Sequence, residues 1–216
     1  LRARKATAEG KLRKAADQLH ALRYEAAAEV GNEVTEILKT LQFKDPSFVI
    51  EVRPTDTYRS YGTDDVEFRI RTNVGDAVKP LHMIASGGEM SRIMLAIKTV
   101  LARRDEIPTL IFDEIDTGIS GQTAWKVAEK MGRLAGDHQI LCITHLPQIA
   151  AMEDSHFLIA KESSGGRTVT HISRLSEMDS DGELARLLGG AAVTEAVLEN
   201  AREMKRMGAA VRGGGE

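Results

Sequence analysis

The segment Thr109-Leu110-Ile111-Phe112-Asp113-Glu114 decides the fold class, because an apolar strand pattern is followed at once by two carboxylates. A second apolar segment, 140–143, leads into Thr144-His145, and helical patterns near 87–103 and 121–135 alternate with the two segments. Apolar strands that alternate with helices predict an α/β fold with a mostly parallel sheet covered by helices on both faces. Ligands of such folds bind at the carboxyl ends of the strands, where these polar residues are expected.

Composition excludes several classes of protein. The chain has 216 residues, of which 42% are hydrophobic and 28% charged, as is typical of a globular domain. A net charge of −3 shows no overall basic excess, and an aromatic content of 4% is too low for a base-stacking platform. The single cysteine, Cys142, excludes an internal disulfide and a multi-cysteine zinc site. No apolar run approaches the roughly 18 residues of a membrane span, so we expect a cytoplasmic protein without a membrane partner.

Residues 1–42 carry an apolar repeat with spacings of three and four, which predicts a long helix at the end of a coiled-coil limb. The repeat consists of Leu12, Ala15, Leu19, Leu22, Ala26, Val30, Val34, Ile37 and Leu41. A lone amphipathic helix of this length is poorly stable, so we expect a partner helix. The first 23 residues hold seven basic and two acidic side chains. This segment is either an arm that contacts DNA or a solvated face of the coiled coil.

The rest of the chain, 43–212, is expected to form one lobe, and 213–216 a disordered tail. Short strands are predicted at 48–52 and 66–70 with a loop between them, because apolar and polar residues alternate there. A hairpin is predicted around Ser163-Ser164-Gly165-Gly166. The C-terminal part is predicted to be helical, with a helix stop at Gly189-Gly190.

The tetrapeptide Ser86-Gly87-Gly88-Glu89 has the Ser-x-x-Glu pattern of a capping box, in which Ser86 caps the helix and Glu89 bonds back. Because two glycines leave the first backbone N–H groups uncovered, this helix end is a candidate phosphate site. The alternative is an ordinary capped helix after a glycine loop.

Two further candidates lie at the strand ends. Asp113 is suited to hold Mg²⁺, and Glu114 to accept a proton from an attacking water. The alternative is an acidic pair that caps the next turn or pairs with Arg103 or Arg104. His145 is suited to contact a phosphoryl oxygen, or else is an ordinary structural histidine.

Three of these segments together resemble the bacterial RecN family of SMC-like, ABC-type ATPases. The segments are 85–92 (ASGGEMSR), 112–121 (FDEIDTGISG) and 144–150 (THLPQIA), and the run 184–190 (LARLLGG) also fits. Ala85 departs from the Leu that usually precedes the signature motif of ABC-type ATPases. Glu89 departs from the Gln usual in transporters.

The resemblance implies an ATP site shared between two copies of the protein. Asp113 would hold Mg²⁺ as the Walker B aspartate, while Glu114 and His145 would be catalytic. The remaining residues would bind ATP across the dimer; they are Ser86, Gly87, Gly88 and Glu89 of the signature motif, and Asp116 and Thr117 of the D-loop. The signature turn and the acidic pair would therefore form opposite walls of a cleft that closes when two copies meet.

No Gly-x-x-x-x-Gly-Lys-Ser/Thr motif occurs in these 216 residues. The resemblance therefore implies the C-terminal lobe of a head whose Walker A half lies elsewhere in the same protein. The expected activity is ATP hydrolysis after that half is joined, with this fragment alone inactive. The expected partners are a second copy, through ATP-engaged heads, and DNA in double-strand-break repair at the nucleoid. Two alternatives stay open: another SMC-like or Rad50-like ATPase head, and a catalytically silent coiled-coil interaction module.

Overall fold

The computed structural model describes residues 1–104, 106–164, 167–190 and 192–213, without the side chains of residues 103, 163, 164 and 167. The chain divides into two compact units, Leu1–Ala85 and Ser86–Glu216. The expected boundary between 42 and 43 stays a prediction. Most of the tail predicted at 213–216 lies outside the described residues, as do the two glycines of the turn predicted at 163–166.

The first unit is a long helix packed on a small antiparallel sheet. Its elements are α1 (Arg2–Thr40), β1 (Ser47–Arg59), β2 (Gly62–Arg71) and β3 (Lys79–Pro80), with a short 3-10 helix at Leu81–Met83. The three strands lie in the order β1-β2-β3.

The loop predicted between the two strands is wrong, because most of this segment is strand. The β1–β2 ladder runs as far as Pro54 opposite Asp64 and resumes with Arg59 opposite Gly62, after an irregularity in the register. Pro54 cannot donate to a ladder and so suggested a loop, but the strand tolerates it at this irregularity. Gly62, with φ 105°, supplies the left-handed conformation that the tight turn requires.

The buried side of α1 is offset from the predicted apolar repeat. Its buried residues are Ala16, Ala27, Gly31, Val34 and Leu38. Leu12 and Leu22 of the repeat are 50% and 64% exposed. The sheet of this unit thus packs against one side of the helix. The N-terminal part of the repeat lies outside this contact and forms a second, uncovered apolar stripe.

One buried carboxylate ties α1 to the hairpin. Asp64 accepts hydrogen bonds from His20 Nδ1 at 2.7 Å and from Arg23 Nη1 at 3.0 Å. Burial alone would raise the pKa of Asp64, but the bonds from these two groups outweigh it and the pKa is lowered.

The second unit contains the remaining helices and strands. They are α2 (Gly87–Leu101), β4 (Thr109–Phe112), α3 (Gly121–Leu134), β5 (Gln139–Cys142), α4 (Pro147–Ala150), β6 (Phe157–Ser164), β7 (Arg167–Arg174), α5 (Glu177–Gly189) and α6 (Glu195–Gly213), with a 3-10 turn at Ala102–Arg104. The predicted hairpin is confirmed as the antiparallel pair β6–β7. The helix stop is confirmed too, because α5 ends at Gly190, whose φ is 67°.

The predicted parallel strands are confirmed as β4 and β5, which pair from Thr109 opposite Gln139 to Phe112 opposite Cys142. This pair is the parallel part of the fold among the described residues, since the other two sheets are antiparallel.

The expectation that helices cover both faces of this sheet is wrong for this chain. Leu110 and Phe112 of β4 are buried. Ile111 on the other face of β4 is 70% exposed, and Leu141, its partner in β5, is 49% exposed. Alternate side chains of a strand point to opposite faces, so one face of the β4–β5 sheet is covered and the other is open.

The helices of the second unit surround their own core. Helix α3 packs on α4 and α6, and α5 packs on α6. The core cluster consists of Ala151, Leu184, Ala185, Ala201 and Met204. None of the helices in the described part of the chain combines the length and the hydrophobicity of a membrane-crossing segment.

A buried ionic network lies beside this core. Glu153 contacts His156 Nδ1 at 2.7 Å and Lys205 Nζ at 3.1 Å, and accepts a hydrogen bond from Ser180 Oγ. Burial would raise the pKa of Glu153, but these hydrogen bonds lower it further than burial raises it.

Candidate functional site

The acidic pair lies where β4 turns into a loop. Asp113 and Glu114 are exposed, and Asp113 Oδ1 accepts a hydrogen bond from the backbone N–H of Glu114 at 2.9 Å. Glu114 has φ 56°, and its carbonyl accepts from Thr117 N at 3.0 Å. This left-handed conformation is strained for a residue with a side chain, and such strain is concentrated at functional sites.

The acidic pair forms no ion pair among the described side chains. The exposed Arg104 forms no ion pair or hydrogen bond with it, so the interpretation as a pair with Arg104 is not supported, and the side chain of Arg103 lies outside the described residues. Asp113 does bond to the N–H of the next residue, as the alternative of a capping acid predicts. Such a bond uses one carboxylate oxygen and leaves the other free for a ligand.

The glycine turn before α2 has the predicted cap. Ser86 is extended at φ −88°, and its Oγ accepts from the backbone N–H of Glu89 at 3.3 Å. Between the described Ser86 and Glu89, no hydrogen bond returns from the carboxylate, so the capping box is half formed. Ser86 and Gly87 are exposed and Gly88 is buried. The start of α2 is therefore accessible at its N-cap, Ser86, and at its first residue, Gly87.

The structure places this turn against the acidic loop of the same chain. A Cβ at Gly87 would clash with the Glu114 carboxylate. A Cβ at Gly88 would lie 2.9 Å from the Glu114 carbonyl oxygen and 2.9 Å from Thr117 Cβ. At Gly88, where the obstructing atom is a backbone oxygen, glycine is required for this close approach, and the helix N-terminus favours the neighbouring carboxylate. The predicted cleft has the two features on opposite walls when two copies meet; within one chain they are adjacent.

Two residues that sequence analysis left without a role join α2 to this loop. Ser91 Oγ donates to the Asp113 carbonyl at 2.7 Å. Arg92, 8% exposed, donates from Nη1 to the Thr117 carbonyl at 2.8 Å and to the Ile115 carbonyl at 3.4 Å. Burial lowers the pKa of the Arg92 guanidinium, an effect that Glu89 partly opposes. The available signal was an arginine within the apolar stripe of α2, where an unpartnered charge would be costly.

Asp116 joins the loop after β4 to the end of β5. Its carboxylate is buried, and Oδ2 accepts from Thr144 Oγ1 at 2.6 Å and from the backbone N–H of His145 at 2.9 Å. The ring Nδ1 of His145 lies 3.0 Å from the same oxygen. The prediction that Thr144 and His145 lie at the edge where β4 also ends agrees with the parallel register.

The cysteine of β5 is half-buried rather than fully buried. Burial, with contributions from Asp116 and Asp113, raises the pKa of the Cys142 thiol to about 12. Since the thiolate is the reactive form, this thiol is unreactive at neutral pH.

The assembled residues suit phosphate chemistry. Two exposed carboxylates, an accessible helix N-terminus and an exposed histidine ring occur within one unit. Among the described residues, no group of three or more His, Cys, Asp or Glu side chains could hold a metal alone. Mg²⁺ is usually held by one or two carboxylates together with substrate phosphates and waters, which Asp113 fits as a single protein ligand.

Comparison with known proteins shows that the sequence of this chain is similar to DNA repair proteins. No protein-family model matches the chain. The DNA repair protein RecN of Halalkalibacterium halodurans is 40% identical over 195 residues, covering 88% of this chain and 34% of that protein. RecN of Vibrio cholerae is 40% identical over 191 residues, with the same coverages of 88% and 34%. RecN of Treponema pallidum is 50% identical over 154 residues, covering 71% of the chain and 27% of that protein.

The chain thus spans about a third of the length of the curated relatives it matches. Among solved structures, the Smc head domain of Pyrococcus furiosus, with an extended coiled coil and bound to the C-terminal domain of ScpA, gives a TM-score of 0.56 at 19% identity, covering 87% of this chain and 44% of that chain. The Smc head domain of Pyrococcus yayanosii, with a coiled coil and joint, gives a TM-score of 0.52 at 21% identity, covering 76% and 29%. The predicted α/β fold of an SMC-like head is confirmed.

Proposed function

Because the chain belongs to the RecN family of DNA repair proteins and corresponds to their C-terminal part, we propose that it is one lobe of an ATPase head that acts in DNA double-strand-break repair. The observation that carries the proposal is the placement of the exposed Asp113-Glu114 pair at the carboxyl end of β4, beside the accessible start of α2. This placement supplies carboxylates for a metal and for a water, while the exposed Ser86 can contact a phosphate held by a second copy. We locate this activity in the cytoplasm, at the nucleoid.

In the proposed reaction each side chain has one role. Asp113 holds Mg²⁺, which when bound would neutralise charge on the phosphates. Glu114 orients the attacking water and accepts its proton, and His145 contacts the γ-phosphate. Ser86, with the start of α2 behind it, binds the γ-phosphate of an ATP held by a second copy. The ATP would thus join two heads until hydrolysis removes the bridging phosphate.

A Walker A half from the same protein would complete the site. The open face of the β4–β5 sheet supports this part of the proposal, since Ile111 and Leu141 there are exposed and a parallel sheet is normally buried on both faces. Helix α1 offers a second uncovered apolar stripe, with Leu12 and Leu22, for the returning limb of a coiled coil. We expect this chain alone to bind ATP feebly and not to hydrolyse it; micromolar binding by calorimetry would contradict the split site.

The coiled coil would transmit head engagement to bound DNA. The seven basic side chains in the first 23 residues of α1 lie on exposed positions or, for Arg23, beside Asp64. Among SMC-like ATPases, the similarity to RecN proteins at 40% identity favours this family over a Rad50-like head. A catalytically silent interaction module remains the second candidate, and the experiment below separates the two.

The test uses the longer protein, in which this chain and a Walker A half are joined. We expect Glu114→Gln to slow ATP hydrolysis by about 100-fold or more, the range of a lost general base. We also expect it to accumulate a dimer in ATP, observed by light scattering. The matched control is Glu203→Gln, an exposed glutamate of α6. Hydrolysis by Glu114→Gln at the rate of the control would overturn the assignment of the base, and a wild-type protein without ATPase activity would favour the silent module.

A further inference from the structure

The carboxylate of Asp116 accepts hydrogen bonds from residues that follow β5. Asp116 is 4% exposed, and its Oδ2 accepts hydrogen bonds from Thr144 Oγ1 at 2.6 Å and from His145 N at 2.9 Å. The ring Nδ1 of His145 lies 3.0 Å from the same oxygen. Thr144 Oγ1 itself accepts from the backbone N–H of Leu146 at 3.0 Å. Because a hydroxyl has one hydrogen, that hydrogen is directed to Asp116.

This geometry determines which ring nitrogen of His145 carries the hydrogen. The backbone N–H of His145 can only donate, so Asp116 Oδ2 acts as an acceptor towards it. The ring Nδ1 lies 3.0 Å from the same oxygen, where a nitrogen lone pair would face the negative charge of the carboxylate, and this places the hydrogen on Nδ1. The side chain of His145 is 73% exposed, so Nε2 is the ring nitrogen left for a ligand.

We propose that Asp116 is a positioning residue that acts within its own chain. It fixes the Nδ1–H tautomer of His145 and holds the backbone of His145, so that Nε2 can contact a phosphoryl oxygen. The inference rests on the proposed function for the identity of that ligand. It assigns to Asp116 a task different from the contact across a dimer that the family resemblance implies. A buried carboxylate that orients an imidazole through Nδ1 is an arrangement that enzymes use to hold a histidine in one tautomer.

Nitrogen-15 NMR of the histidine side chains in the 216-residue chain tests this inference directly. The spectra are recorded near pH 9, well above the ordinary histidine pKa of about 6.5, so that the ring is neutral. We expect His145 of the wild-type chain to show the Nδ1–H tautomer as its major form. A major Nε2–H form in the wild type would overturn the proposal, whether or not any variant folds.

Three variants separate positioning from general stability. Asp116→Ala should shift His145 towards the Nε2–H tautomer, because it removes the carboxylate beside Nδ1. Thr144→Val removes one bond to Asp116 but leaves the Nδ1 contact, so it should preserve the tautomer. Glu162→Gln is the matched control, since Glu162 lies 3.7 Å from Nε2 of the exposed His171. An unchanged His145 tautomer in a folded Asp116→Ala chain would contradict the proposal.

A second measurement in the longer protein links the tautomer to catalysis. We expect Asp116→Ala to lower kcat about tenfold or more, with a changed dependence of kcat on pH. The Thr144→Val protein should keep the wild-type pH profile. Failure of the proposed ATPase function would leave the NMR result standing, whereas a wild-type pH profile in Asp116→Ala, with ATPase activity intact, would reject the positioning role alone.

Discussion

The close packing of the glycine turn on the acidic loop predicts opposite effects for two neighbouring substitutions. At Gly88 a Cβ would lie 2.9 Å from a backbone carbonyl oxygen and 2.9 Å from Thr117 Cβ, with Arg92 Nη1 at 3.3 Å. Overpacking of this kind costs about 1–3 kcal/mol, and alanine in a helix returns up to about 1 kcal/mol relative to glycine. We therefore expect Gly88→Ala to lower the free energy of unfolding by about 1–2 kcal/mol.

At Gly87 the obstructing atom is the end of a flexible side chain. The added Cβ would meet the carboxylate of Glu114, which is exposed and can rotate away. We expect Gly87→Ala to leave the free energy of unfolding unchanged or to raise it by up to about 1 kcal/mol. The two variants have the same composition, so Gly87→Ala is the matched control for Gly88→Ala.

The assay is thermal unfolding of the 216-residue chain, followed by far-ultraviolet circular dichroism. For a chain of this size, 1 kcal/mol corresponds to a change in Tm of about 2–4 °C, so the expected decrease for Gly88→Ala is about 2–8 °C. Urea titration gives the same comparison at constant temperature. A Tm for Gly88→Ala equal to or above that of Gly87→Ala would show that the turn does not pack on the acidic loop as described.

Three further substitutions, and Gly132→Ala as a control, test the packing, the electrostatics and the strain. Gly208→Ala should lower the free energy of unfolding, measured in urea, by about 1–3 kcal/mol, because the added Cβ would clash with a backbone carbonyl oxygen. Gly132→Ala should leave this free energy unchanged or raise it, because the nearest contacts of its Cβ are an ordinary 3.5 Å. The pKa of Glu153 is lowered in the folded chain despite burial, so its stabilising effect is present above the ordinary value of about 4.3 and is lost as the pH falls below it. Stability against pH should therefore be flatter in this acid range for Glu153→Gln, and an equally steep profile would contradict the assignment. Glu114→Gly should abolish hydrolysis. It should also raise the free energy of unfolding by up to about 1 kcal/mol, and with it the Tm, because glycine relieves the strain of the positive φ. A decrease in Tm would show that no strain is stored there.

Predictions from the sequence were most successful where a local pattern reports a local structure. The serine cap at Ser86, the strand at 109–112 and the helix stop at Gly189-Gly190 depend on neighbouring residues, and each is confirmed. The strand–helix–strand order between 109 and 143 likewise predicts the parallel pairing of β4 and β5.

Apart from the loop predicted between β1 and β2, the predictions that were wrong concerned surfaces rather than elements. The apolar repeat of α1 correctly indicated a helix, but it could not show which side of the helix packs against the sheet. Ala16 and Ala27 are buried, whereas Leu12 and Leu22 are exposed. In the same way, Ile111 has the residue type of a buried strand and yet is exposed, because burial depends on what packs on the sheet.

By itself the sequence determined the α/β class, the order of the elements and the chemical types of the site residues, since these depend on periodicity and on residues near one another in the chain. Only the tertiary structure showed that Asp116 bonds to His145, that Arg92 reaches the carbonyl of Thr117, and that Glu114 lies against the glycine turn. Each of these contacts joins residues that are more than twenty positions apart. The physical reason is that such distances are determined by how helices and strands pack, and no repeat or spacing along the chain encodes them directly.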